Sequence, residues 1–256
     1  MLKPEKYQEY ISLINEYYRF VYDEITCRIF YKAYNDKYYK ILNTYDINTI
    51  YLNISSKIKI SKELFSTIIL SEHVYKRVNV IEEYLRSLEA IDLYKDEDPI
   101  AEYCSAFKVE DPEFFYYMFK KWFINMVAQV IGYGINQHCF ILIGPQGIGK
   151  TTMLNKLVPE KLRKEYLYVG NIDYKNKDFQ MLLANKILIN IDEMNIFNKM
   201  DMYSIKNIIT QLQINVRRPY QREEESFRRL ASFCGTTNDE EIFTDLTGNR
   251  RFISVN

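Results

Sequence analysis

The residues best suited to chemistry lie in Gly144-Pro145-Gln146-Gly147-Ile148-Gly149-Lys150-Thr151, which fits the pattern G-x-x-x-x-G-K-[ST]. Glycines in such a loop let backbone N–H groups turn inward around phosphate oxygens, and the helix that follows adds the favourable end of its dipole. The Lys150 ammonium would reach β- and γ-phosphates, and the Thr151 hydroxyl would ligate Mg2+. Thr152 completes the candidate nucleotide-binding stretch. The apolar run FILI before the loop and the helix-compatible TTMLNKLV after it supply the strand–loop–helix context this mechanism needs. Further on, KILINIDE reads as an apolar strand ending in Asp192-Glu193. At the carboxyl end of a strand beside the phosphate-loop strand, Asp192 would hold Mg2+, directly or through water. Glu193 would polarise the attacking water as general base. A third run, RLASFCGTTND, delivers Thr236, Thr237 and Asn238 at a strand end. The amide of Asn238 both donates and accepts, which suits a water near a γ-phosphate. Arg250 and Arg251 follow Thr247-Gly248-Asn249 with no acidic residue within four positions. Local ion pairing therefore does not explain them, and either one is a candidate to stabilise transition-state charge on a neighbouring subunit's γ-phosphate.

A second concentration of charge falls in INVRRPYQREEESFRRLASF, which reads as two extended arms around a polar REEES turn. Arg217, Arg218, Arg222, Arg228 and Arg229 crowd it, with Tyr220 and Phe227 interleaved. Guanidinium groups there would contact phosphates and Tyr220 would stack on a base. Glu223, Glu224 and Glu225 offset part of that field, so DNA contact is assigned first to Arg217, Arg218 and Arg222.

The elements that must position these groups follow from periodicity and composition. The chain has 256 residues, 34 basic against 34 acidic, and a formal net charge of zero, which excludes a broadly basic nucleic-acid coat. It is 47% apolar and 15% aromatic, enough for a packed core and incompatible with a disordered chain. No apolar run approaches the length of a membrane span, and the N-terminus lacks a signal-peptide core. Four cysteines without a CxxC and only two histidines argue against a disulfide framework or zinc site, and point to a reducing cytosol.

Apolar residues from Tyr7 to Ile25 keep helical spacing, which predicts an amphipathic helix in the first thirty residues. Its tyrosine stripe reads as core or oligomer face rather than a base-stacking surface. Ile25–Tyr34 and Tyr38–Leu42 flank Asn35-Asp36 as a candidate hairpin, and Ser61–Leu70 and Val80–Leu88 look helical. Asp111-Pro112 opens a helix to about Ile131, with Phe115, Met118, Trp122, Met126 and Val130 as its buried side. From Cys139 onward short β-rich runs alternate with helices, which implies an α/β layer around a mainly parallel sheet. The division expected is a mostly α-helical region over 1–110 and an ATPase core over 111–256. In that core, 111–138 forms a supporting helix and linker, and 139–256 the nucleotide-binding sheet.

GPQGIGKTT, INIDE, VRRPY, ASFCGTTN and D-x-TGNRRF, in this order, resemble the virulence-associated protein E family, P-loop ATPases of phages and mobile elements related to superfamily 3 helicases within the AAA+ group. LSEHVYKRVNVIEEYLRSLEAIDLYKDEDPI and FKKWFINMVAQVI resemble the family's segment upstream of the phosphate loop. The resemblance implies that Lys150 and Thr151 bind nucleotide and metal, that Asp192 and Glu193 are the acidic pair, and that Asn238 is the sensor asparagine. It makes Arg250 or Arg251 the arginine finger, and Lys206 a lysine usual in the helix before VRRPY. It further implies ATP held between subunits of a ring, typically a hexamer, around single-stranded or forked DNA. The hairpin before the sensor strand would project into the channel, and a primase would be a separate partner.

Three functions remain open on this reading: an ATP-driven DNA motor, a nucleotide-gated assembly module that recruits replication or defence partners without translocating, and a small-molecule P-loop kinase. The last gives the asparagine and the arginine pair nothing to do. The motor, with ATP and Mg2+ as cofactors in the cytoplasm of a bacterial or phage-infected cell, is the expectation taken forward.

Overall fold

The computed structural model describes residues 4–37, 39–88, 98–173, 176–194, 199–216, 224–239 and 249–256. The chain divides into two compact units, Met1–Leu88 and Glu89–Asn256. The boundary expected at 110 therefore falls inside the second unit. Its physical cause is helix α5 (Pro99–Ser105), which packs on α6 (Pro112–Val130) through Tyr103, whose ring stacks on Phe119 at 5.4 Å. Tyr103 also donates its hydroxyl hydrogen to the Met153 carbonyl at 3.3 Å.

In the first unit, α1 (Pro4–Tyr17) stops well short of residue 30. Tyr18–Asp23 instead forms β1, paired antiparallel with β2 (Arg28–Ala33). Strand pairing overrides the helical spacing here because alternate β1 residues Tyr18 and Phe20 bury against Tyr31 from β2. The Asp23 carboxylate closes the turn by accepting from the Thr26 N–H at 2.8 Å and hydroxyl at 2.6 Å. The hairpin expected next is present, as β2 paired with β3 (Lys40–Ile41). Helices α2 (Thr44–Ser55) and α3 (Lys62–Ile69) follow, then β4 (Lys76–Val78) and α4 (Val80–Ser87). The sheet order is β3-β2-β1-β4, with β4 parallel to β1. Tyr10 and Tyr18 are core residues beside Ile14, Ile50, Ile54 and Phe65. The tyrosine stripe is thus largely packing, as its spacing suggested.

The second unit is built on an all-parallel five-stranded sheet. Its strands are β5 (Cys139–Ile143), β6 (Leu167–Val169), β7 (Leu188–Ile191), β10 (Ser232–Thr237) and β11 (Phe252–Val255). Their spatial order is β11-β5-β10-β7-β6. Every residue of β5, β7 and β10 is buried, as expected of parallel strands covered on both faces. Helices α7 (Lys150–Lys156), α8 (Glu160–Tyr166), α9 (Lys177–Asn185) and α10 (Lys199–Thr210) make the crossovers. Strands β8 (Gln213–Val216) and β9 (Glu225–Arg228) form a separate antiparallel ribbon, the two arms expected of that segment.

Helix α6 starts where Asp111 caps it by accepting from the Phe114 N–H at 2.9 Å, with Pro112 in its first turn. Its buried stripe is Phe115, Phe119, Trp122, Met126 and Gln129. Met118 and Val130, expected inside, are only half-buried, because the stripe steps by four and three residues from Phe115. Phe119 and Trp122 meet Phe140 of β5 at 5.5 and 5.3 Å, so the helix braces the strand that leads into the glycine loop. Among the described residues no helix is long and apolar enough to cross a membrane.

Candidate functional site

The carboxyl ends of β5, β7 and β10 converge on one edge of the sheet. Strand β5 passes into Gly144, Gly147 and Gly149, at φ 144°, 84° and 92°, and Gly149 opens α7 in the left-handed region. Side chains rarely adopt those angles, so glycine is required, and a Cβ built on Gly147 or Gly149 would meet only open space. The loop is exposed from Pro145 through Gly149. Lys150 is folded back on it, donating from Nζ to the carbonyls of Gly144 at 2.6 Å and Pro145 at 2.7 Å. Burial lowers the Lys150 pKa, against the opposing pull of Asp192.

Asp192 lies immediately beyond β7. The Thr151 hydroxyl donates to its Oδ1 at 3.0 Å, which brings together two residues read separately from the sequence. The position of Asp192 differs from the expectation in one respect. Strand β7 is not beside β5, because β10 lies between them and pairs with both. Separation along the chain does not fix lateral order in a parallel sheet. The insertion of β10 places Asn238, exposed at its end, between the loop and the acidic pair. Glu193 is exposed at φ 55°, a strained conformation for a residue with a side chain, and Met194 behind it is fully buried.

Several contributors escaped the sequence reading. Asn190, buried on the same face of β7 as Asp192, donates to the Asn155 Oδ1 at 2.8 Å and toward the Thr151 carbonyl at 3.5 Å. It ties α7 to the strand. A polar residue two places before Asp192 in an apolar run was the available signal. Gly235 was another, because a lone glycine in a strand marks a close approach. A Cβ there would sit 2.4 Å from Met194 Sδ and 2.9 Å from the Ile191 carbonyl oxygen.

Arg250 and Arg251 form a short 3-10 turn that leads into β11. Phe252 registers with Cys139, the first residue of β5, so the pair stands at the amino edge, opposite the loop. His138 lies at this edge too, with its pKa lowered by burial and by the charges of Lys121 and Arg251. Lys206 of α10 holds its ammonium 5.7 Å from the Phe252 ring centroid, and so belongs to this edge rather than to the loop.

The arginine-rich ribbon is corrected at its base. Arg229 is fully buried and donates to the carbonyls of Ile209 at 2.7 Å, Gln211 at 2.9 Å and Asn136 at 3.0 Å, as well as to that of Ala231. It caps the last turn of α10, and burial pushes its pKa down to about 10. Arg228, though exposed, reaches the Gly134 carbonyl. Arg229 serves the fold rather than a ligand, and a run of arginines in sequence does not reveal which of them turn inward. Beside them Gln129 donates to the carbonyls of Leu230 at 2.9 Å and Ala231 at 2.8 Å, which anchors α6 under β10. Arg217, Arg218, Tyr220 and Arg222 lie outside the described residues.

For Mg2+ on a nucleotide, one hydroxyl and one carboxylate are a fitting donor set, since that ion takes its remaining ligands from phosphate and water. Thr151 and Asp192 supply that set, and the glycine loop with its N–H groups and Lys150 suits the phosphates.

Fold and site together define an α/β domain in which a glycine loop and an acidic strand end share one edge of a parallel sheet. The model of the virulence-associated protein E-like domain matches residues 88–256, more than half of the chain, and the protein belongs to that family. Two solved structures share its fold. One is the A-form apo structure of the NrS-1 C-terminal region, with a TM-score of 0.52 at 17% identity, covering 96% of this chain and 60% of that one. The other is the apo structure of the NrS-1 C-terminal region (305-718), with a TM-score of 0.54 at 15% identity, covering 99% and 62%. The protein therefore spans about 60% of the length of these relatives. No curated protein matches it.

Proposed function

We propose that the protein is an ATP-hydrolysing motor on single-stranded or forked DNA, serving replication of a phage or mobile element in the cytoplasm of its host. In this reading it acts as a homo-oligomer, a hexameric ring. The observation that carries the reading is the Thr151–Asp192 hydrogen bond of 3.0 Å, which closes a hard-cation donor pair directly under a left-handed glycine loop.

Each residue then has a task. Backbone N–H groups of Gly147 to Thr151 bind phosphate oxygens at the start of α7. Lys150 exchanges the carbonyls of Gly144 and Pro145 for β- and γ-phosphate oxygens. Thr151 and Asp192 hold Mg2+, which when bound neutralises charge on the phosphates. Glu193, exposed one residue beyond, takes the proton of the attacking water as general base, and Asn238 orients that water from the end of β10. Arg250 or Arg251 acts on the site of a neighbouring subunit, because both stand at the opposite edge of their own sheet. Arg217, Arg218, Arg222 and Tyr220, which fall in the sequence between β8 and β9, contact DNA.

The test is ATP turnover across a protein concentration series, with and without single-stranded DNA, using Lys150→Ala as the blank. Turnover per subunit that rises with concentration and again with DNA supports the motor. Turnover that is concentration-dependent but indifferent to DNA gives the nucleotide-gated assembly module in its place. Turnover equal to the blank throughout removes the hydrolase reading.

A further inference from the structure

We infer that Thr236 is a positioning residue for the divalent cation: its hydroxyl fixes the carboxylate of Asp192 from the sensor strand, as Thr151 does from the phosphate-loop helix. The inference rests on the proposed reading of Thr151 and Asp192 as the Mg2+ donors.

Thr236 is 3% exposed and donates from Oγ1 to Asp192 Oδ1 at 2.6 Å. That is shorter than the 3.0 Å bond from Thr151 to the same oxygen. Oδ1 thus receives two hydroxyls, one from each side, while Oδ2 accepts no hydrogen bond among the described residues. The Thr151 hydroxyl must turn its oxygen toward a metal when it becomes a ligand, whereas Thr236 has no such second duty. Buried in a strand with β-branched stiffness at χ1, it keeps its donor aimed at Asp192.

The surrounding strand is built to allow this approach. Gly235 leaves room for Met194 to fold over β10, and Met194 in turn fixes the turn that carries Asp192 and Glu193. On the other side the Thr237 carbonyl accepts from the Gly144 N–H at 3.2 Å. Three consecutive residues of β10 therefore touch the acidic turn and the start of the glycine loop. Strand β10 sets the distance between Asp192 and the start of the glycine loop, and Asn238 follows directly from it. Partners that orient a metal ligand commonly contribute about 10–100-fold to metal affinity.

The experiment compares the full chain with Thr236→Val, which keeps shape and removes the donor, and with Thr236→Ser, which restores it. Binding of a fluorescent ATP analogue is followed without Mg2+ and then through a Mg2+ titration. The expected result is a rise of about ten-fold in half-saturating Mg2+ for Thr236→Val, unchanged Mg2+-free binding, and a Ser variant within about two-fold of the parent. An unchanged Mg2+ midpoint in Thr236→Val overturns the inference and leaves the site reading standing. Equal loss of Mg2+-free and Mg2+-dependent binding, the result of a merely structural role, also overturns it. A parent that binds nucleotide with no response to Mg2+ removes the metal-site reading and this inference together. Should Thr236→Val fail to fold, Thr236→Ala carries the same comparison.

Discussion

Mixing two inactive variants should restore ATP turnover if the arginine pair works between subunits. The perturbations are Lys150→Ala, which removes the ammonium proposed to bind phosphate, and the double change Arg250→Ala with Arg251→Ala. The geometry excludes action within one subunit. Phe252 registers with Cys139, while the loop begins after Ile143. Four residue steps at roughly 3.3 Å each put about 13 Å of strand between them. The arginines lie before Phe252, and the phosphates would lie beyond Gly144. An arginine side chain reaches only about 7 Å from its Cα, so the pair falls well short of its own loop. Each variant alone should lose about 10³-fold or more in rate. When the two are mixed in equal amounts and assemble at random, about one interface in four joins an intact loop to an intact arginine pair. Turnover should therefore recover to about a quarter of the parental rate per subunit, and should rise with protein concentration. A mixture no faster than the sum of its separate components refutes the reasoning, as does full parental turnover by the double arginine variant.

Arg229→Met strands the carbonyls of Ile209, Gln211, Asn136 and Ala231, and at about 1 kcal/mol for each should cost about 4 kcal/mol. Urea unfolding checks this, with Arg228→Ala as the exposed comparison at about 1 kcal/mol or less; equal midpoints for the two variants would contradict the buried-cap account. Gly235→Ala forces Met194 off β10 and should lower ATP turnover about ten-fold or more by displacing Asp192 and Glu193; parental turnover with parental melting would rule that out. Hydrogen bonds from Lys120 and Tyr116, and from the Ala101 and Ile100 N–H groups, hold the Asp98 carboxyl well below the usual carboxylate range. A depressed carboxyl contributes stability that is fully present above its unfolded pKa and is lost as pH falls through the folded value. Asp98→Asn should therefore lower the melting temperature at pH 7, with the gap to the parent closing below about pH 4. A gap that stays constant into acid would show that the charge is not responsible.

The sequence by itself determined the local features. The glycine spacing from Gly144 to Gly149 required a loop with positive φ, and Asp111-Pro112 marked the start of α6. The apolar runs before Gly144 and Asp192 required buried strands, and alternation of strands with helices required a parallel sheet. All of these follow from backbone preference and periodicity, which act over a few residues. Tertiary structure alone decided what depends on lateral order and burial. It placed β10 between β5 and β7, and so gave Asp192 a second hydroxyl from Thr236. It turned Arg229 inward to the end of α10 although its sequence neighbours read as a charged surface. It cut the first helix at Tyr17, where β1 pairs with β2 and Tyr18 and Phe20 bury against Tyr31. It also set Arg250 and Arg251 at the edge remote from the loop. A one-dimensional pattern fixes which face of a strand is apolar. Only packing of the whole sheet fixes which strand lies beside it, and therefore which side chains meet.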